Sequence, residues 1–297
     1  MAQMVSVVVA TYRRDQALER ALQSLAKQTY SNYEIVLVDD NADSEWNQKV
    51  SVIVEAFRKS YPDVKLNYIV NSPNKGSAVT RNIGIHAAVG TYVTFLDDDD
   101  VYLPKKISNQ VAYMEGKSAD YGVTNLDLYY DDDVFCESRT RSYIKSTDYS
   151  SLMRYHMLHH LTGTDTMMFR REYLLKIGGF DPIDVGDEFY LMLKAIEGKG
   201  VFAYLDSSDV KAYVHRGEGG LSSGEGKING ENRLFEFKKN YFHLLTKEDI
   251  RFIKARHYAV IAFAEIRRKG YFAFVKNAAL AFAISPIDCL KLLRKNK

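Results

Sequence analysis

The stretch Phe95-Leu96-Asp97-Asp98-Asp99-Asp100 places four carboxylates directly after an apolar, strand-like run, 91–96. Carboxylates crowded this closely repel one another, and a cation offsets that repulsion. At the carboxyl end of a buried strand they stand where open α/β sheets bind ligands. A hard divalent ion held there keeps coordination positions open for phosphate oxygens. Taken alone, the run reads equally as a solvated acidic turn. The flanking sequence decides.

Upstream, the chain alternates. Residues 4–10, Met-Val-Ser-Val-Val-Val-Ala, are a near-continuous β-branched run, the pattern of a strand covered on both faces. Asp15 is placed to cap a helix whose Leu18, Leu22 and Leu25 recur at helical spacing. Residues 34–39, Glu-Ile-Val-Leu-Val-Asp, read as a second buried strand, and Trp46, Val50, Ile53, Val54 and Phe57 as the stripe of a second helix. A strand over 66–70 and a helix over 78–88 follow, before the strand 91–96. This alternation predicts an α/β fold with a parallel, Rossmann-like sheet. After about residue 118 the pattern changes. Residues 121–130 and 134–143 read as paired strands around Asp131-Asp132-Asp133, followed by a helix over 148–157 and a strand over 166–169. A helix over 186–197 and strands near 201–205 and 210–214 come next. Residues 217–230 are rich in Gly and Ser and read as a mobile loop, and from 232 the chain reads as helical.

The composition is that of an ordinary globular protein, with 46% hydrophobic and 26% charged residues in 297, enough for one large domain or a domain with an appendage. Cys136 and Cys289 are the only cysteines. They make neither a disulfide framework nor a zinc spacing, which implies a reducing cytosol. A strand starting almost at the N-terminus argues against a signal peptide. The net charge of +2 is unevenly spread: residues 250–297 hold 11 Lys and Arg against Glu265 and Asp288, a charge of +9, and the remainder carries −7. The two parts are expected to face different partners.

A dinucleotide site needs Gly-x-Gly-x-x-Gly after the first strand. Here that segment is Ala10-Thr11-Tyr12-Arg13-Arg14-Asp15, without glycine, and no P-loop is present. Phosphates must be held another way, and residues 97–100 offer a metal.

Residues 5–12 (Val-Ser-Val-Val-Val-Ala-Thr-Tyr), Val38-Asp39-Asp40 and Asn74-Lys75-Gly76-Ser77 with Arg81-Asn82 resemble the start of family 2 glycosyltransferases. Residues 90–100 with Pro104, and Gly178-Gly179-Phe180-Asp181, extend the likeness, in the family's order, over roughly 4–200. The resemblance implies the GT-A fold: a mixed, mostly parallel sheet with flanking helices. It implies a catalytic domain over 1–230, with a nucleotide-binding half 1–117 and an acceptor half 118–230. A basic, aromatic-rich helical region, 231–297, follows. It also implies a nucleotide-sugar donor, usually a UDP-sugar, a divalent Mn2+ or Mg2+, and inversion at the anomeric carbon. Carried over residue by residue, Ala10, Thr11 and Tyr12 match the seat of the base and ribose, with Arg14 near a phosphate. Asp39 matches the carboxylate that meets the uracil ring; its alternative is a helix cap. Arg81 matches a basic residue near the donor; its alternative is a surface helix charge. Asp97 and Asp99 match the Asp-x-Asp pair, with Asp99 the direct metal ligand and Asp97 a ribose or outer partner. Asp98 is a neighbour in contact with the donor, and Asp100 caps the next helix.

An inverting transfer needs one base on the acceptor side. Family members carry Glu-Asp at the start of a late helix, whereas this chain has Gly186-Asp187-Glu188. Counting back from Lys194 puts Glu188 at the base position, with Asp187 as its partner and the alternative base. An ordinary acidic first turn favoured by the helix dipole explains either residue alone. His215, at the end of a strand, matches a histidine that completes the metal shell in some members, and Arg216, Lys227 and Arg233 are placed to close over a diphosphate. Two other readings stay open: a sugar-phosphate nucleotidyltransferase, whose Gly-rich, basic loop after the first strand is missing here, and a degenerate member that binds nucleotide as a scaffold.

In the tail no stretch reaches the roughly 18 apolar residues that span a bilayer. Its aromatics and basic groups fit an amphipathic helix on an anionic membrane. The alternative is packing on the catalytic domain or on a second copy, giving a homo-oligomer. No nucleic-acid motif accompanies the charge. The whole reads as a cytoplasmic enzyme of bacterial surface-polysaccharide assembly, peripheral to the membrane's inner face, acting on a glycan or lipid-linked saccharide acceptor.

Overall fold

The computed structural model describes residues 2–183, 186–214, 224–268 and 270–295. By its contacts the chain divides into two units, one of residues 1–149 and 161–216, the other of 150–160 and 217–297.

The first unit begins with β1 (Val5–Thr11), α1 (Gln16–Ala26), β2 (Tyr33–Asp39), α2 (Ser44–Ser60), β3 (Lys65–Val70), α3 (Ser77–Ala87) and β4 (Tyr92–Asp97). Asp15 caps α1 by accepting from the Gln16 N–H at 2.6 Å, and Asp43 caps α2 by accepting from Glu45 and Trp46. The strands β1, β2 and β4 are buried almost throughout, which their unbroken apolar runs require. The unit continues with β5 (Val101–Tyr102), α4 (Lys106–Gly116), β6 (Tyr121–Thr124), β7 (Leu126–Tyr130), β8 (Phe135–Arg139), the start of α5 (Tyr149–His159), β9 (Met167–Arg170), α6 (Arg171–Lys176), α7 (Asp187–Glu197), β10 (Phe202–Leu205) and β11 (Val210–Val214).

Seven strands form one sheet in the order β10-β6-β9-β4-β1-β2-β3, parallel except for β9 between β6 and β4. This is the GT-A arrangement of a mostly parallel sheet flanked by helices. The chain crosses from β1 outward to β2 and β3, then returns to the other side of β1 as β4, so the strand order switches between β1 and β4. Register sets Ala10 beside Asp97 and Thr11 beside Asp39, so the three strand ends open into one crevice. At the other end, Ser6 donates to Glu34 at 2.5 Å and accepts from Gly90 N–H at 2.9 Å, satisfying buried polar atoms where β1 begins. A Cβ on Gly90 would lie 2.6 Å from the Ser6 nitrogen, so only glycine fits there.

Two expectations are corrected. Residues 121–130 are not one strand: β6 belongs to the main sheet and β7 to a second sheet, β5-β11-β7-β8. Between them lies Asn125, whose side chain donates to Asp206 at 2.6 Å and accepts from Tyr204 at 2.9 Å. A buried side chain satisfied in both directions lets the backbone leave one ladder for another. Secondly, residues 224–230 are helical, the start of α8 (Gly224–Lys238), so the Gly/Ser-rich loop can extend no further than 223; the rest of it lies outside the described residues.

The second unit combines residues 150–160 of α5 with α8, α9 (Lys247–Arg267), α10 (Tyr271–Ile284) and α11 (Pro286–Lys295). Thr246 and Asp249 form a capping box at the head of α9, and buried Asp249 also holds Arg154 of α5 through two hydrogen bonds of 2.8 and 2.7 Å.

Candidate active site

The crevice is built on the ends of β1, β2 and β4. Thr11 donates to Asp98 at 2.7 Å, and the Tyr12 N–H donates to the same oxygen at 3.1 Å. Arg14 forms an ion pair with Asp99 at 2.7 Å. Asp39 is fully buried; it accepts from Asn41 and, at 2.8 Å, from the Tyr68 hydroxyl. It caps no helix. The neighbouring Asp40 accepts from the N–H groups of Lys75 and Gly76 and from the Asn71 side chain, and so shapes the loop that enters α3.

From α3, Arg81 reaches two carboxylates, Asp97 at 2.7 Å and Asp187 at 3.0 Å. It is a buried strut, not a surface charge. Its neighbour Asn82 is bonded in both directions to the backbone of Phe180, and the Phe180 ring lies under the Arg81 guanidinium, 5.5 Å away. Two motifs nearly 100 residues apart in sequence thus make one support.

Asp165, from the turn 164–166, accepts from the Asp97 N–H at 2.6 Å. Oxygens of Asp97, Asp100 and Asp165 lie within 4.8 Å of one another. Burial, then mutual repulsion, raises Asp100 well above the carboxylate range and pushes Asp165 up to about 7. Burial also raises Asp97, against the pull of Arg81, and pushes Asp98 up to about 7. An all-oxygen set of crowded carboxylates suits a hard divalent cation such as Mg2+ or Mn2+. The expectation that Asp100 caps the next helix is corrected: it does not cap α4 but is buried and accepts from the Tyr213 N–H at 2.8 Å, 113 residues away. Under the cluster, fully buried Lys106 donates to the Thr94 hydroxyl at 2.5 Å and to the Tyr102 hydroxyl at 2.7 Å. Burial holds its ammonium well below the usual lysine range.

At the head of α7, Gly186 has φ of 87°, a left-handed turn that starts the helix at Asp187. Both Asp187 oxygens are engaged, one by Arg81 and the other by the Glu188 N–H at 3.0 Å. Burial pushes Asp187 up to about 6. Glu188 differs. Its Oε1 accepts from the Thr164 hydroxyl and, at 3.3 Å, from the Thr164 N–H, and no described residue bonds its Oε2.

The sequence profile of Glycosyl transferase family 2 matches residues 6–178. The chain belongs to glycosyl transferase family 2. An Escherichia coli K12 protein named for colanic acid biosynthesis, the glycosyl transferase WcaA, is 25% identical over 90% of this chain and 89% of its own length. The Escherichia coli UDP-Glc:alpha-D-GlcNAc-diphosphoundecaprenol beta-1,3-glucosyltransferase WfaP is 30% identical over 52% of this chain and 57% of its own. Among solved structures, Staphylococcus aureus TarS 1-349 in complex with UDP covers 92% of this chain and 88% of that one at a TM-score of 0.59 and 19% identity. Mannosyltransferase PcManGT from Pyrobaculum calidifontis, in complex with GDP-Man and Mn2+, covers 99% of this chain and 79% of that one at a TM-score of 0.60 and 19% identity. The likeness to these structures carries the GT-A fold. The protein is therefore a glycosyltransferase, not a sugar-phosphate nucleotidyltransferase.

In this family 2 member the strand ends bring together Ala10, Thr11, Tyr12, Arg14, Arg81, Asp97, Asp98 and Asp99, with Asp39 buried one strand further on. Arg81 ties Asp187 to them. His215 and Arg216 lie outside the described residues. Thr164 meets Glu188 and Asp165 meets the Asp97 N–H, contacts made 24 and 68 residues away that the local pattern of a Gly-Thr-Asp turn does not signal.

Removing Arg81 leaves buried Asp187 without its counter-charge. Arg81→Leu is expected to lower stability by about 2–3 kcal/mol, less than for a fully buried pair because water reaches Asp97, with Arg81→Lys losing less. Urea unfolding at neutral pH measures both.

Proposed function

We propose that this glycosyltransferase moves a sugar, with inversion, from a nucleotide-sugar, a UDP-sugar by preference, to a hydroxyl of a glycan or lipid-linked saccharide in bacterial surface-polysaccharide synthesis. One observation carries the reading: of the two acidic residues opening α7, Asp187 is locked by Arg81 and its own turn, while Glu188 keeps one oxygen unengaged among the described residues.

Glu188 is the general base. Thr164 holds one of its oxygens, and the other takes the proton from the acceptor hydroxyl. The acceptor oxygen attacks the anomeric carbon as the bond from that carbon to the diphosphate oxygen breaks, and the nucleoside diphosphate leaves. Asp97 and Asp99, the more accessible carboxylates, would hold Mn2+ or Mg2+; Asp100 and Asp165, buried behind them, share a proton and fix the Asp97 backbone. A bound divalent ion offsets the charge that grows on the leaving diphosphate. Arg14, released from Asp99, is within reach of the same phosphates. Thr11 and Tyr12 seat the ribose and base; Asp39, buried with its two oxygens engaged by Asn41 and Tyr68, meets the base edge only by giving up one of those bonds. The donor parallels the UDP bound by TarS, the UDP-Glc named for WfaP and the roles named for WcaA in polysaccharide synthesis. The donor chemistry and the two free cysteines support a cytoplasmic site of action.

The test is slow donor hydrolysis with Mn2+, followed by proton NMR. An α-linked UDP-sugar is expected to release the β-anomer first. Release of the α-anomer overturns inversion, and no release from any nucleotide-sugar leaves a scaffold.

Burial also predicts a pH dependence. Asp98 and Asp165 at about 7, and Asp187 at about 6, hold protons in the fold that the unfolded chain gives up near 3.8. The stability this contributes is complete below the unfolded value and is lost as pH rises through 6 to 7. In EDTA the melting temperature should fall between about pH 5 and pH 8, and Mn2+ should raise it more at the higher pH.

A further inference from the structure

Helices α10 and α11 wear their apolar residues on the outside. Phe272 is 86% exposed and Ile287 68%, and Val275, Phe282 and Leu290 are exposed with them. Within each helix these positions recur every three to seven residues, the spacing of a single helix face. The opposite face carries small side chains: Ala281 and Cys289 are buried against Ala259 of α9. A helix of a soluble protein ordinarily turns its large apolar residues inward and its polar ones to water. Here the order is reversed over two successive helices.

The same segment is strongly basic. Residues 266–297 hold eight Lys and Arg against one acid, Asp288, within a 250–297 region of charge +9. Among the described residues no helix is long and apolar enough to cross a membrane. An exposed apolar face flanked by cations, on helices too short or too interrupted to span, is the pattern of an element lying in the headgroup layer.

We infer that α10 and α11 dock on an anionic lipid surface, with Phe272, Val275, Phe282, Ile287 and Leu290 entering the acyl boundary and the segment's positive charge attracted by the headgroups. Charge chooses the occupant. A second copy seated on this face would bring two +9 regions together, whereas anionic lipid neutralises one. The inference stands on the second unit alone and does not depend on the transfer chemistry.

The full chain is sedimented with vesicles of neutral phosphatidylcholine, and with vesicles in which roughly one lipid in three is phosphatidylglycerol. Binding should rise by about tenfold or more with the anionic lipid and fall again in high salt. Phe272→Ser with Ile287→Ser should weaken it by at least about tenfold. Circular dichroism melting checks that the double variant is folded; Phe282→Ser, tested in the same way, replaces it if it is not. Equal binding to both vesicles, no binding to either, or binding unchanged in a folded variant overturns the inference. So does a dimer in analytical ultracentrifugation that the variant abolishes, because the face then belongs to a second copy.

Discussion

Glu188→Gln is expected to lower kcat by about two to four orders of magnitude, the usual contribution of a positioned base, and to leave nucleotide binding unchanged. Gln keeps the length of the side chain and can still accept from Thr164, so the loss reports proton transfer and not the fold. Asp187→Asn behaves differently. It weakens the contact with Arg81, and through Arg81 it reaches Asp97, so the donor KM moves with kcat. The two variants, assayed side by side with a matched donor and acceptor, separate the base from its partner. A larger kcat loss in Asp187→Asn than in Glu188→Gln would reverse the assignment.

Calorimetric titration of UDP, with and without Mn2+, is expected to show binding that needs the ion and is lost in Asp99→Ala. Removal of a carboxylate donor from a two-carboxylate site costs metal affinity on the order of a hundredfold. Arg14 then keeps only the longer 3.8 Å pairing with Asp98 and is freer to meet phosphate directly, so residual ion-independent binding is expected to rise, not fall. Asp165→Asn provides the contrast. It lies behind the cluster and is expected to weaken the ion less than Asp99→Ala does. If Asp165→Asn is the more damaging, the ion sits deeper, among Asp97, Asp100 and Asp165. GDP and dTDP in the same titration test the preference for UDP.

Much of the first 117 residues is legible in the sequence because strands β1, β2 and β4 are buried on both faces. Runs such as 4–10 and 34–39 have no other economical reading, and the observed strands begin and end within about a residue of those limits. What local pattern cannot carry is a contact made at long range. Residues 121–130 look like one strand because strand-favouring residues, Val123 and Thr124 and then Tyr129 and Tyr130, lie on both sides of Asn125; only the partners of Asn125, from residues 204 and 206, reveal the change of sheet. Asp100 looks like a cap because caps are local, yet its partner is the backbone of Tyr213. Residues 224–230 look like a loop because glycine is a poor helix former, and tertiary packing overrides that weak preference in α8. The resemblance in the motifs points to the candidate catalytic residues. Their pairing through Arg81 emerges only from the fold.

That strut makes the two halves of the reaction thermodynamically reciprocal. Arg81 shares one guanidinium between Asp97, on the proposed donor side, and Asp187, beside the proposed base. Any positive charge that competes for Asp97 releases Arg81 toward Asp187, and any proton on Asp187 returns Arg81 to Asp97. Occupancy of one half is therefore registered by the other in equal measure, whichever ligand arrives first.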